Sequence, residues 1–211
     1  MTTPRMRPYV PLFFFALSAC VHASPPEPAP PSVGVGYPGT LRDPATHEHN
    51  FMLRQHAKGN HEGGSFSFDA VVQKNGAELL VLVLTPYGSR ALLVKQTGHD
   101  VQVETFIDRE LPFAPESILL DVQRVFLKGQ PAPHEDGWTQ SVSDGETVRE
   151  RWQEGRLYRR EFTRLDNVPP GVITVTYEGG FKPGSKPPSL TLDNGWFGYS
   201  LTLETSDYHP L

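Results

Sequence analysis

Alternation of apolar and polar residues, with period two, dominates most of the chain. Phe66, Phe68, Ala70 and Val72 alternate with Ser65, Ser67, Asp69 and Val71, as in a strand with two unlike faces. Asn75-Gly76 then signals a tight hairpin into a second run, Ala77 to Thr85. Pro86-Tyr87-Gly88 interrupts that run, a third follows at Ser89 to Lys95, and a turn over Thr97 to Asp100 leads to a fourth at Val101 to Ile107. Together these predict an antiparallel meander. At Ala114 the period changes. PESILLDVQRVFLK sets Ile118, Leu119, Val122, Val125 and Phe126 on one stripe at helical spacing, with Pro115 and Glu116 suited to a first turn. Strand patterns resume at Gly137 to Ser143, Thr147 to Gln153, Arg156 to Leu165, Val172 to Glu178, Ser189 to Leu192 and Phe197 to Thr205, several of them separated by Asp-Gly, Glu-Gly or Asn-Gly.

About ten short strands and one clear helix make the fold mainly β. So long a sheet should curl strongly and use the helix to cover its concave side. Leu79 to Leu84 is apolar on both faces, which fits either a plain core or a ligand cavity. The candidates to line that interior are Phe66, Phe68, Leu80, Leu82, Leu93, Ile118, Leu119, Val122, Phe126 and Trp196.

Ahead of this domain stands MTTPRMRPYVPLFFFALSAC, with arginines first, then an apolar run from Val10 to Leu17, then small residues. This is the three-part form of a secretory leader, and the run is too short for a permanent membrane span. Leu17-Ser18-Ala19-Cys20 resembles the lipobox of bacterial lipoproteins. The resemblance implies cleavage after residue 19 and acylation of Cys20, the chain's single cysteine. Several acyl chains at about 0.8 kcal/mol per buried methylene anchor such a protein permanently. Val21 follows the cysteine, and by the same resemblance outer-membrane sorting, facing the periplasm, is the default. From Val21 to about Pro44 the sequence is rich in proline and small residues without a period, as expected of an extended spacer. The expected organisation is a leader over 1–19, an acylated cysteine and tether over 20–46, a β domain over 47–206 and a tail over 207–211.

The formal charge is −5, and loss of Arg5 and Arg7 with the leader makes it two units more negative, which disfavours nucleic acid as a partner. One cysteine excludes an intramolecular disulfide. His47, Glu48, His49, His56, His61 and Glu62 cluster in sequence, but no cysteine joins them and His56 and His61 fall on opposite faces of one strand, so no metal site is expected. The arginines between Thr147 and Leu165 alternate with Trp152, Leu157, Tyr158 and Phe162, as on the wet face of a strand pair. Gly88-Ser89 lacks the frame of a nucleophile elbow, and phosphate-loop and zinc spacings are missing. The expectation is therefore a protein that is not an enzyme and needs no cofactor.

Lipobox, Pro-rich tether, LTPYGSRALLV, the turn TGHDVQVE, the amphipathic helix and the late strands ending LTLDNGWFGYSLTLE follow in an order that resembles the outer-membrane lipoprotein receptor LolB. The chain resembles still more the LolB-like lipoproteins of the DUF3261 family. The resemblance covers about Phe51 to Glu204. It implies an incomplete antiparallel β-barrel, closed by helix over a hydrophobic cavity that takes up acyl chains. It also implies membrane lipids, a periplasmic carrier protein and lipidated cargo as partners. Matched residue by residue, Pro86, Tyr87 and Gly88 occupy the protruding tip that LolB uses at the membrane, with Tyr87 at the apolar position. Two functions follow: a membrane-anchored module that binds acyl chains and helps place lipoproteins or lipids in the outer membrane, or a structural or assembly lipoprotein working through protein contacts.

Overall fold

The computed structural model describes residues 36–108, 114–128 and 135–211. The leader and Cys20 lie outside the described residues. Eleven strands form one antiparallel sheet: β1 (Phe51–His61), β2 (Gly64–Asn75), β3 (Glu78–Leu84), β4 (Arg90–Thr97), β5 (Asp100–Thr105), β6 (Gly137–Ser143), β7 (Glu146–Gln153), β8 (Arg156–Arg164), β9 (Ile173–Phe181), β10 (Leu190–Asn194) and β11 (Tyr199–Pro210). Their order is β5-β4-β3-β2-β1-β11-β10-β9-β8-β7-β6, so the sheet is open, with β5 and β6 at its edges. Consecutive strands are neighbours except β5 and β6, which stand at opposite edges, and the last strand, β11, pairs with the first, β1. Between β5 and β6 lies the helical segment, α1 (Glu116–Val122) running into a π-helical turn, Gln123–Leu127.

The strand not expected from sequence is β1, which sits in the middle of the order between β2 and β11. Its covered positions run Phe51, Leu53, Gln55, Ala57 and Gly59, shrinking from large apolar to nothing, so the alternation fades along the strand. The expected tail 207–211 is strand almost throughout, since Asp207 pairs with Arg54 and Pro210 with Phe51. Residues 36–46, assigned from composition to the tether, also belong to the folded unit: Tyr37 and Leu41 pack on the core. The apolar and hydrogen-bonding side chains scattered among the prolines explain why this stretch adheres.

The helical segment fixes how the sheet bends. Gln123 donates to Gln96 of β4 at 2.9 Å, and the next residue, Arg124, donates to Glu146 of β7 at 2.7 Å. In a flat sheet of this order β4 and β7 would stand roughly 38 Å apart at about 4.8 Å per strand. The sheet therefore wraps round the helix. One contiguous core results, which holds Leu119, Val125 and Phe126 of the helical segment together with Phe51 and Leu53 of β1 and Phe162, Ile173 and Tyr177 of β8 and β9.

Candidate functional site

The β3–β4 connection is a tight turn whose geometry explains its sequence. Gly88 N–H donates to Thr85 O at 2.9 Å, closing a four-residue turn with Pro86 at the position that favours a fixed φ. Thr85 N–H donates to Ser89 O at 2.8 Å, and the Thr85 hydroxyl accepts from Ser89 N–H at 3.2 Å. Gly88 has φ +81°, a conformation that side chains resist. Backbone needs thus account for Thr85, Pro86, Gly88 and Ser89. They leave Tyr87 unexplained, and Tyr87 is 95% exposed. Its ring does not fold back onto neighbouring side chains, which removes the packing reason for an aromatic residue there.

On the helix-covered face near the same ends of the strands, Phe66 and Phe68 stack at 6.1 Å with their planes 6° apart. Phe66 lies flat over Gly59 of β1, where a Cβ would come within 2.2 Å of its ring. The glycine makes room for the aromatic partner across the strand pair. Phe66 is exposed and Phe68 half-buried, so they form a rim.

Of the candidates for the interior, Leu119, Phe126 and Trp196 are buried, while Ile118 and Val122 are half-buried and packed on the core. Leu80, Leu82 and Leu93 do not line it. On β3 the buried positions are Leu79 and Val81, and on β4 they are Ala91, Leu92, Val94 and Gln96. Leu80, Leu82 and Leu93 point to the opposite face, where Leu82 sits between Val71 and Leu93. A strand that is apolar on both faces gives no phase, and only pairing with β2 fixes it.

Between helix and sheet the structure holds a polar cluster that the sequence reading did not single out. Arg124 and Glu146 are both fully buried and bonded at 2.7 Å. Arg124 also donates to Pro38 O at 2.7 Å and lies near Asp121 at 3.6 Å. Its guanidinium is walled by the rings of Trp196 at 4.9 Å, Tyr37 at 5.2 Å and Phe162 at 5.7 Å. Asp121 accepts from the hydroxyls of Tyr37 and Tyr199, and Asn194 donates to both of those oxygens. Burial raises the Asp121 carboxyl above its ordinary range, against the pull of Arg124. Burial and the nearby Asp121 push Tyr37 and Tyr199 well above the ordinary tyrosine value. Arg160 meets Glu150 at 2.7 Å and donates to Arg124 O, and Tyr177 donates to Val125 O at 2.7 Å. These last bonds satisfy carbonyls that the π-helical turn leaves open. The cluster ties three elements together: the N-terminal segment, the helix and the sheet.

A cleft of about 20 Å³, room for about one water, lies among His47, His49, Phe51, Phe126, Phe181 and Tyr208. Burial, with Lys74 and His49 nearby, lowers His47 to about 4. His56 instead pairs with Asp69 at 2.9 Å. Among the described residues no three His, Cys, Asp or Glu side chains converge as a metal-ligand set.

Fold and site together define an open antiparallel sheet bent round one helix, with a buried ion cluster inside and a bare aromatic tip outside. The chain belongs to the family described as protein of unknown function DUF3261, which matches residues 52–207. Two solved structures are similar in outline. A LolA superfamily protein from Nitrosomonas europaea is 14% identical with a TM-score of 0.44, over 80% of this chain and 87% of that one. A domain from Vibrio parahaemolyticus named for outer membrane lipoprotein sorting is 11% identical with a TM-score of 0.42, over 77% and 85%. No curated protein matches.

Proposed function

We propose that this is a lipid-handling module, anchored through acylated Cys20 to the outer membrane and facing the periplasm. In this reading Pro86, Tyr87 and Gly88 dip into the bilayer, and the protein binds acyl chains or lipid-like cargo and helps place them in the membrane, without catalysis. The observation that carries it is the full exposure of Tyr87 on a turn whose other residues serve the backbone. Burial of such a ring recovers roughly 1.5 to 3 kcal/mol, none of which is realised in water. Tyrosine suits the lipid interface, with a ring for the acyl boundary and a hydroxyl for the head groups. The bent sheet serves as an incomplete barrel, the helix closes it, and Phe66 and Phe68 form an apolar lip at the same end as the tip. Since the space under the helix is occupied by side chains, cargo enters by displacing the helix rather than by filling a standing cavity.

The filled interior also favours a second reading, a structural or assembly lipoprotein that acts through protein contacts. Tyr87→Asp separates the two. The lipid-handling reading expects unchanged unfolding free energy with impaired vesicle contact and cargo delivery. Delivery and vesicle contact that both survive the substitution favour the protein-contact reading.

A further inference from the structure

Antiparallel pairing places the β1–β2, β3–β4, β8–β9 and β10–β11 connections at one end of the strands. Exposed apolar side chains stand at this end within strands, as Phe66 and Val142 do, and among the described residues two places carry them on the connections themselves. One is Tyr87. The other is the β8–β9 loop, residues 165–172, where Leu165 is 59% and Val168 57% exposed and Val172 is also open to solvent. None of the described residues covers them.

Several of this loop's backbone N–H groups are satisfied within the fold, while the side chains of Asp166 and Asn167 stay exposed at its tip. Arg164 binds Asp166 through two bonds of 2.9 and 3.2 Å, so the loop's one acidic side chain is paired. Asp166 also accepts from Val168 N–H at 3.1 Å, Asn167 N–H donates to Arg164 O at 3.2 Å, and Leu165 N–H donates to Gly145 O at 3.0 Å. Pro169 and Pro170 bring no N–H at all. At the far end Trp196 Nε1 donates to Gly171 O at 3.1 Å, and Gly195 N–H donates to Val172 O at 3.0 Å, pinning the loop to the β10–β11 turn. Backbone donors met in this way lower the cost of bringing Leu165, Val168 and Val172 into a water-poor layer, with Asp166 and Asn167 left at the level of the head groups.

The described chain enters the domain at the same end. The described chain begins at Gly36, beside Tyr37, whose ring stacks on Phe197 of the β10–β11 turn at 4.9 Å. The fifteen residues between Cys20 and Gly36 reach at most roughly 50 Å when fully extended. An acylated Cys20 therefore joins the folded domain at this end by a tether of at most that length.

We infer that the β8–β9 loop is a second contact with the phospholipid bilayer, inserting Leu165, Val168 and Val172 beside the Tyr87 tip so that two points fix the domain's orientation. The inference rests on the membrane reading of Tyr87 and Cys20. Its test uses the full acylated chain in vesicles of phosphatidylethanolamine and phosphatidylglycerol. Val168→Cys, Tyr87→Cys and, at the opposite end, Leu211→Cys each receive an environment-sensitive fluorophore. Iodide quenches from water and nitroxide-labelled phospholipid quenches from the bilayer. The expected result is lipid quenching at 87 and 168, iodide quenching at 211, and return of the 168 label to iodide when Leu165→Asp is added. A 168 label as open to iodide as 211, with 87 still in lipid, overturns this inference and leaves the tip reading standing. Labels at 87 and 168 both in water overturn both. A 168 label shielded from iodide and also untouched by lipid nitroxide assigns the loop to contact between copies and likewise overturns the inference.

Discussion

Arg124→Met removes a guanidinium with no exposure to water from a carboxylate with none, and breaks two bonds of 2.7 Å, to Glu146 and to Pro38 O. Breaking one side of a buried pair costs about 3 to 5 kcal/mol, because the remaining charge is left without its partner. Lys128 Nζ stands 3.7 Å from the other Glu146 oxygen and offsets part of that, which sets the expectation near the lower bound, about 3 kcal/mol. At about 2 to 4 °C per kcal/mol for a domain of this size, the melting temperature falls by about 6 to 12 °C. Glu146→Leu alone should cost a similar amount, since Arg124 then keeps Pro38 O at 2.7 Å and, for its charge, Asp121 at 3.6 Å. The double variant Arg124→Met/Glu146→Leu leaves neither charge stranded and should be more stable than the sum of the two losses implies, with a coupling of about 2 kcal/mol. Urea unfolding of the four proteins measures this. Single variants that each lose less than about 1 kcal/mol, or losses that simply add, would refute the view that this pair is a coupled unit holding helix to sheet.

Three further outcomes are expected. Because His47 is lowered from 6.5 to about 4 in the fold, the unfolded chain binds its proton first, so stability is full above pH about 6.5 and falls toward pH 4. His47→Gln should flatten that part of a urea-midpoint profile against pH, and an unchanged slope would count against the burial of a neutral imidazole. Phe126→Ala, at a ring 7% exposed and edge-on to Phe51 at 6.2 Å, should cost about 3 to 5 kcal/mol in unfolding free energy; a change near zero would make the helix peripheral. Cys20→Ser should abolish labelling by an alkyne fatty acid, and persistent acylation would sink the lipoprotein reading.

What was legible in the sequence was whatever had a clear period. The helix expected from Pro115 to Lys128 is realised as Glu116–Val122 with its π-helical turn, and the turns at Asn75-Gly76, Asp144-Gly145 and Glu154-Gly155 fall between strands as expected. Where period was weak or doubled, tertiary contacts decided. β1 has only Gln55, Ala57 and Gly59 to show for half its covered face, and its place is set by pairing along its whole length with β2 and β11. In β3 either set of alternate leucines and valines could face inward, so Leu80, Leu82 and Leu93 were assigned to the wrong side. Arg124 falls on the side of the helix away from the apolar stripe, where a wet face is expected, and no local rule announces that its partner waits in β7, 22 residues on. The aromatic tip was visible because tyrosine at that turn conflicted with local preference, and conflicts of that kind mark functional positions.

The central claim is that this domain meets lipid through Tyr87. A phospholipid with a photoactivatable diazirine at the end of one acyl chain, mixed into vesicles that carry the full acylated chain, tests it in one measurement. After illumination, peptide mapping by mass spectrometry should find adducts on the peptide containing Pro86, Tyr87 and Gly88, lost in Tyr87→Asp, with further adducts at Phe66 and Phe68 where cargo enters. Adducts confined to the tether before Gly36, with the tip peptide unmodified, would contradict the account.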